Sequence, residues 1–139
     1  MNPEIIVMLG DPALQPPWLD SLVRDAGYQF KPVSNLNDLR DLADAPIVAV
    51  FFNAKSLDLP WKDSIVWIHS IAPEAHCVVC HGFHEEIDWP SLSSWGAFHS
   101  LPLPFDPTEV RQAIGFIAMD KKHNTPPAPD ISNSVSELG

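Results

Sequence analysis

The stretch IVAVFF, residues 47 to 52, is apolar at every position. Successive side chains of a strand point to opposite faces of the sheet, so a strand with one face in water shows polar residues at alternate positions. β-Branched and aromatic residues also favour a strand over a helix. The stretch therefore predicts a strand that is buried on both faces, which is typical of a parallel sheet with helices on both sides.

Similar short runs occur on both sides of this strand. They predict four further strands, over Ile5 to Leu9, Tyr28 to Val33, His76 to His81 and Ala97 to Leu101. Strands that alternate with helices indicate βαβ units. The sequence thus predicts the α/β class, with a doubly wound five-stranded parallel sheet in the flavodoxin-like order 2-1-3-4-5, and a functional crevice at the carboxyl ends of strands 1 and 3.

The segments between the strands carry helical patterns. Apolar residues recur at helical spacing in segments that start near Trp18, Leu36 and Ile65, and Trp89-Pro90-Ser91 indicates one short helix. Asp106 followed by Pro107 is a typical helix start. The helix that begins there has the apolar stripe Val110, Ala113, Ile114 and Ile117.

One domain over residues 1–122 is expected, followed by a Pro- and Ser-rich linker or tail over residues 123–139. Eight Lys and Arg against 18 Asp and Glu give a formal net charge of −10. Because phosphate contacts dominate nucleic-acid affinity, this chain is not expected to contact nucleic acid directly. We also expect no membrane span and a cytoplasmic location, since there is neither a secretory signal nor a long apolar run.

The stretch HCVVCHGFH, residues 76 to 84, contains a C-x-x-C-H pattern that is also found at covalent haem sites. Haem, a metal or redox site using Cys80, His81 and His84, and a plain buried strand are the alternatives. In a strand, Cys77 and Cys80 point to opposite faces, and Val-Val between them favours a strand over the turn that a zinc site needs. We favour the buried strand and expect no metal and no cofactor.

The order and spacing of these elements over residues 4 to 122 resemble a receiver domain of the response-regulator (CheY-like) family. The residues that carry the resemblance are GDP at 10–12, VAVFFNAKS at 48–56, HCVVCHG at 76–82 and LPLPF at 101–105. Such domains carry an acidic pair for Mg²⁺, a phosphoaccepting Asp, a Thr or Ser, and a Lys before a Pro. Here the corresponding positions hold Leu9 and Gly10 (or Asp11 if the register shifts by one), Asn53, Cys80 and Leu103, while Pro104 is retained. The family has a cis peptide bond before this Pro, so the resemblance implies one here.

These departures imply a degenerate receiver that is neither phosphorylated nor an enzyme, because a carboxamide cannot serve as the carboxylate nucleophile of an aspartyl phosphate. The resemblance implies an N-terminal module of a σ54-dependent enhancer-binding transcription regulator, with ATPase and DNA-binding effector domains as partners. It also implies a homodimer through the last strand and helix, where Phe98, Leu101, Phe105 and Phe116 are the candidate contacts. A small-ligand-binding flavodoxin-like domain, for example for a nucleotide second messenger, is the alternative.

Overall fold

The structure is a computed structural model that describes residues 4–10, 15–82 and 86–124, with the backbone only at 55, 56 and 121–124. Five strands alternate with helices along these residues. The strands are β1 (Ile5–Leu9), β2 (Gln29–Val33), β3 (Ile47–Phe52), β4 (His76–His81) and β5 (Ala97–Pro102). The helices are α1 (Trp18–Asp25), α2 (Leu36–Arg40), α3 (Ala54–Leu57), α4 (Trp61–Ile71), α5 (Trp89–Ser94) and α6 (Pro107–Asn124).

The strands form one parallel sheet in the order β2-β1-β3-β4-β5, which confirms the predicted fold. β1, β3 and β4 occupy its centre, and their residues are buried almost throughout. β2 is an edge strand and contains Pro32, which lacks the N–H that a central strand needs. The carboxyl ends of all five strands lie at one edge, and the functional positions implied by the sequence cluster there.

Each face of the sheet has its own core. Leu39, Ile65, Ile68 and Leu92 of α2, α4 and α5 pack on one face. α1 and α6 cover the other face, and α6 contributes the predicted stripe Val110, Ala113, Ile114 and Ile117. The alternation along β4 is as predicted: Cys77 and Val79 belong to the first core, Val78 and Cys80 to the second.

Side-chain caps account for where several helices begin. The Asn35 carboxamide accepts a hydrogen bond from the Asp38 N–H at the start of α2 (2.9 Å), and Asp106 accepts one from the Glu109 N–H at the start of α6 (3.1 Å). Such caps satisfy N–H groups that have no partner within the helix. Asp106 therefore has the capping role that the sequence predicts.

One feature differs from the expected elements. α3 is a short helix directly after β3 that the sequence pattern did not predict. Only four residues form α3, too few to show a helical apolar period. In the three stretches that the structure describes, no helix is long and apolar enough to cross a membrane.

Candidate functional site at the carboxyl edge of the sheet

The positions implied by the receiver resemblance meet at the carboxyl edge of β1, β3 and β4. Leu9 pairs with Phe52 across β1 and β3, and Phe52 pairs with Val79 across β3 and β4. The residues that follow, Gly10 and Asn53, therefore lie beside one another and beside the end of β4. Asp11 lies outside the described residues.

Asn53 is the polar group at the centre of this edge. Only 8% of it is exposed, and its side-chain Nδ2 donates a hydrogen bond to the backbone carbonyl of Cys80 at 2.6 Å. This bond joins the end of β3 to the neighbouring strand. A buried carboxamide can donate to a carbonyl, whereas an ionised carboxylate only accepts hydrogen bonds. The local structure thus suits an amide at the position where a receiver has its phosphoaccepting carboxylate.

On the β1 side of the site, Leu9 has an apolar side chain and Gly10 has no side chain. Leu9 packs in the first core and is almost fully buried. Gly10 has φ of 136°, a backbone region that L side chains rarely adopt, and its N–H donates to the Val33 carbonyl at 2.9 Å. Neither residue offers an oxygen side chain to a cation, although hard cations such as Mg²⁺ require oxygen ligands.

Cys80 occupies the Thr or Ser position of the receiver pattern, but its thiol is inside the protein. The Sγ atom lies 3.8 Å from the Val78 carbonyl, and the residue is 2% exposed. Burial raises the pKa of this thiol well above its usual range, although a hydrogen bond with the Phe52 backbone opposes the shift. The same cause raises the pKa of Cys77 to about 12. Both groups are therefore neutral thiols and poor nucleophiles at neutral pH.

Leu103 stands where the receiver pattern has its Lys. The Leu103-Pro104 peptide bond is cis, as the resemblance implies. The Leu103 N–H donates to the His81 carbonyl at 2.7 Å, which ties the loop after β5 to the end of β4. Its side chain packs against the α1 and α6 core and carries no charge that could pair with a phosphoryl oxygen.

The geometry does not favour the metal or redox alternative. Cys80 belongs to the core on one face of the sheet, while His81, the next residue of the strand, points to the other face. His84 lies outside the described residues. Among residues 4–10, 15–82 and 86–124, no group of three His, Cys, Asp or Glu side chains is placed to hold a metal ion.

The candidate dimer residues differ in how far their side chains are exposed to solvent. Phe116 of α6 is 47% exposed, and Phe98 and Phe105 are partly buried against the α1 and α6 core. The expectation for Leu101 needs correction, because this side chain is 2% exposed and packs inside that core. It cannot contribute to a surface.

Met119 is an exposed apolar residue that the sequence analysis missed. It is 58% exposed and lies three residues after Phe116, so both side chains lie on the same side of α6. The missed signal was the i, i+3 pair of large apolar residues outside the Val110 to Ile117 stripe. Beside Phe116, the imidazole of His99 on β5 makes an edge-to-face contact with a centroid separation of 5.3 Å.

Comparison with solved structures finds receiver domains of response regulators. A receiver domain protein from Clostridium thermocellum matches with a TM-score of 0.70 and 22% identity, over 87% of this chain and 98% of that chain. NtrX from Brucella abortus matches with a TM-score of 0.71 and 17% identity, over 88% of this chain and 29% of its own. The chain has the receiver fold.

The same fold occurs in a protein named for pilus assembly (cpaE) from Burkholderia thailandensis, with a TM-score of 0.63 and 20% identity over 86% of this chain and 99% of that one. No protein-family model matches the sequence. No curated protein matches it either. At these identities the similarity establishes the architecture, and the function has to be argued from the site.

Proposed function

We propose that this chain is a receiver-like regulatory domain that is not phosphorylated, is not an enzyme, and acts by dimerisation and contact with an effector module. One observation carries the first part of this proposal. The side chain at the phosphoacceptor position, Asn53, is a buried amide that donates to the Cys80 carbonyl at 2.6 Å.

The surroundings of Asn53 support the same proposal. Phosphoryl transfer to a receiver needs a carboxylate, a divalent cation to neutralise the phosphoryl charge, and a cationic side chain. At the matching positions this chain has Asn53, the pair Leu9 and Gly10, and Leu103. Since all of these positions are altered together, one substitution would not restore the chemistry.

We further propose that the effector belongs to a σ54-dependent transcription regulator, in which ATPase and DNA-binding domains follow this one. The resemblance to receivers of such regulators motivates this step. The match to NtrX, which spans only 29% of that chain, supports the part of the proposal in which this fold is one portion of a longer protein. The net charge of −10 supports a role without direct nucleic-acid contact. Because the proposed partner modules act on DNA, we place the protein in the cytoplasm.

Dimerisation is proposed through the exposed side of α6, which we call the α6 surface and define by Phe116 and Met119, with the partly buried Phe98 and Phe105 as further candidate contacts. Phe116 and Met119 are both about half exposed, which leaves two large apolar side chains in water on one side of the helix. A twofold copy of the domain would bury both side chains and would place the two ends of α6 symmetrically. Paired effector modules could then follow from equivalent positions.

Treatment with acetyl phosphate and Mg²⁺, followed by intact-mass analysis, tests the central proposal. We expect no mass increase for the native protein and none for Asn53→Asp, while a receiver with an intact acidic site gains one phosphoryl group in the same reaction. A phosphoryl adduct on the native protein would show that the domain is phosphorylated after all, and peptide mapping would locate it.

A further inference from the structure

His76 lies at the first position of β4, at the amino edge of the sheet and far from the candidate site. Its Nδ1 lies 3.0 Å from the backbone carbonyl of Val48 on β3. Its Nε2 lies 2.5 Å from the Oδ2 of Asp120 on α6. The ring therefore connects two strands of the sheet to the last part of the helix.

Both partners of His76 are hydrogen-bond acceptors. A neutral imidazole has one N–H donor and one acceptor nitrogen, so it can donate to only one of the two oxygens and must turn a lone pair toward the other. An imidazolium has two N–H donors and satisfies the Val48 carbonyl and the Asp120 carboxylate together. Both hydrogen bonds therefore form together only when His76 carries the second proton.

Two carboxylates near His76 have the sign that suits a cation. Glu4 and Glu74 line the same groove at the amino edge, which has a volume of about 840 Å³ and is open to solvent. His69 from α4 also lines it, with Nε2 3.2 Å from the Ala75 carbonyl. Lys121 and Lys122 follow Asp120, and only their backbone is described.

The ring of Phe98 on β5 lies edge-to-face with His76, with a centroid separation of 4.3 Å. The side chain of His76 is 15% exposed at the groove. It can therefore exchange protons with solvent without unfolding of the domain.

We propose that His76 and Asp120 form a proton-dependent clasp that fastens the end of α6 to the amino edge of the sheet. Ile117, the last buried residue of the α6 stripe, lies about one turn before Asp120, so the clasp holds the helix beyond its apolar packing. At low pH the clasp is closed. When His76 loses its second proton as pH rises, one of the two hydrogen bonds is lost and the end of α6 is held less firmly.

A double-mutant cycle tests the clasp. The free energy of unfolding is measured in urea for the native protein, His76→Gln, Asp120→Asn and the double variant, at about pH 5.5 and about pH 8.5, on either side of the usual histidine range. At the lower pH we expect the coupling between the two sites to be worth about tenfold in the folded-to-unfolded ratio, as for a hydrogen bond between charged groups. At the higher pH the coupling should be clearly smaller, because the neutral ring can donate to only one of its two acceptors.

His81→Gln provides a matched control, because His81 lies at the other end of the same strand and its Nδ1 contacts only the neighbouring Gly82 carbonyl among the described contacts (3.4 Å). Its effect should not couple to Asp120→Asn at either pH. Equal coupling of His76 and Asp120 at both values of pH would overturn the proposal, as would an absence of coupling at the lower one. Ring ¹⁵N spectra give an independent readout: His76 should have two protonated nitrogens at about pH 5.5, and a neutral ring there would refute the clasp.

Discussion

Asn53→Asp restores the residue type that a phosphorylated receiver has at this position, yet we expect it to destabilise the domain. The native carboxamide donates to the Cys80 carbonyl across 2.6 Å. An ionised carboxylate would instead place a negatively charged oxygen against the carbonyl oxygen, in a position that is only 8% exposed. The variant therefore loses a hydrogen bond and gains a repulsion between two acceptors.

The expected magnitude follows from these two effects. A buried acceptor that loses its donor costs about 1–3 kcal/mol, and a poorly solvated charge adds to this. We expect Asn53→Asp to lower the free energy of unfolding by about 3 kcal/mol at pH 7, and Asn53→Ala, which removes the donor without adding a charge, by about half as much. Both variants should remain folded, because single domains have stabilities of about 5–15 kcal/mol.

The pH dependence separates the two effects. When protonated, the carboxyl group introduced by Asn53→Asp can donate its O–H to the Cys80 carbonyl. The folded variant should therefore bind a proton more readily than the unfolded chain, where an aspartate side chain has a pKa of about 3.9. The penalty should consequently be small below about pH 4 and should grow as pH rises. Urea unfolding of native protein, Asn53→Asp and Asn53→Ala at several values of pH measures this. An Asn53→Asp variant as stable as the native protein at pH 7 would refute the reasoning and would reopen the question of phosphorylation.

Three further predictions follow from described side chains. Burying the exposed half of Phe116 in a dimer is worth about 1 kcal/mol per subunit, so Phe116→Glu should weaken dimerisation at least about 30-fold in sedimentation equilibrium. Val66→Glu, on the other face of the sheet and 54% exposed in the native protein, should leave dimerisation unchanged; a native protein that is monomeric, or a dimer indifferent to Phe116→Glu, would remove the interface. Burial lowers the pKa of His99, so the stability of the native protein relative to His99→Gln should fall as pH drops below about 6.5; an identical pH dependence of the two proteins would contradict this. Cys77 and Cys80 should resist alkylation until the protein unfolds, since both are buried with raised pKa values; fast labelling of the folded protein would be the contrary result.

The fold could be predicted because its signals are local and repeated. IVAVFF at β3 shows burial on both faces, and the alternation of strand and helix patterns restricts the topology to a few arrangements. The Asp106 cap is equally local, since the capping oxygen and the Glu109 N–H are three residues apart. The short helix α3 was not predicted, because its four residues cannot show a helical repeat.

Contacts between distant residues could not be predicted in this way. The resemblance placed Asn53 at the acceptor position, but nothing in the sequence indicated that its amide would bond to the Cys80 carbonyl, 27 residues away. The contact between His76 and Asp120 spans 44 residues and joins a strand to a helix that the pattern treats separately. The burial of Leu101 could not be predicted either. From the sequence, an apolar residue in an edge strand could face a partner or the core, and only the packing of α6 against it shows that Leu101 faces the core.

The two histidines near α6 should respond to pH in opposite directions. His99 is favoured in its neutral form, because burial lowers its pKa and Glu109 only partly offsets this, so its contribution to stability is lost as pH falls. The clasp at His76 is complete only in the protonated form, so its contribution falls as pH rises. A pH profile of the native protein contains both effects and can be nearly flat even when each is large. Comparison of His99→Gln with His76→Gln separates them. The His99→Gln variant should show a steeper loss of stability toward high pH than His76→Gln, because it keeps the clasp and lacks the His99 imidazole, whose contribution to stability rises with pH.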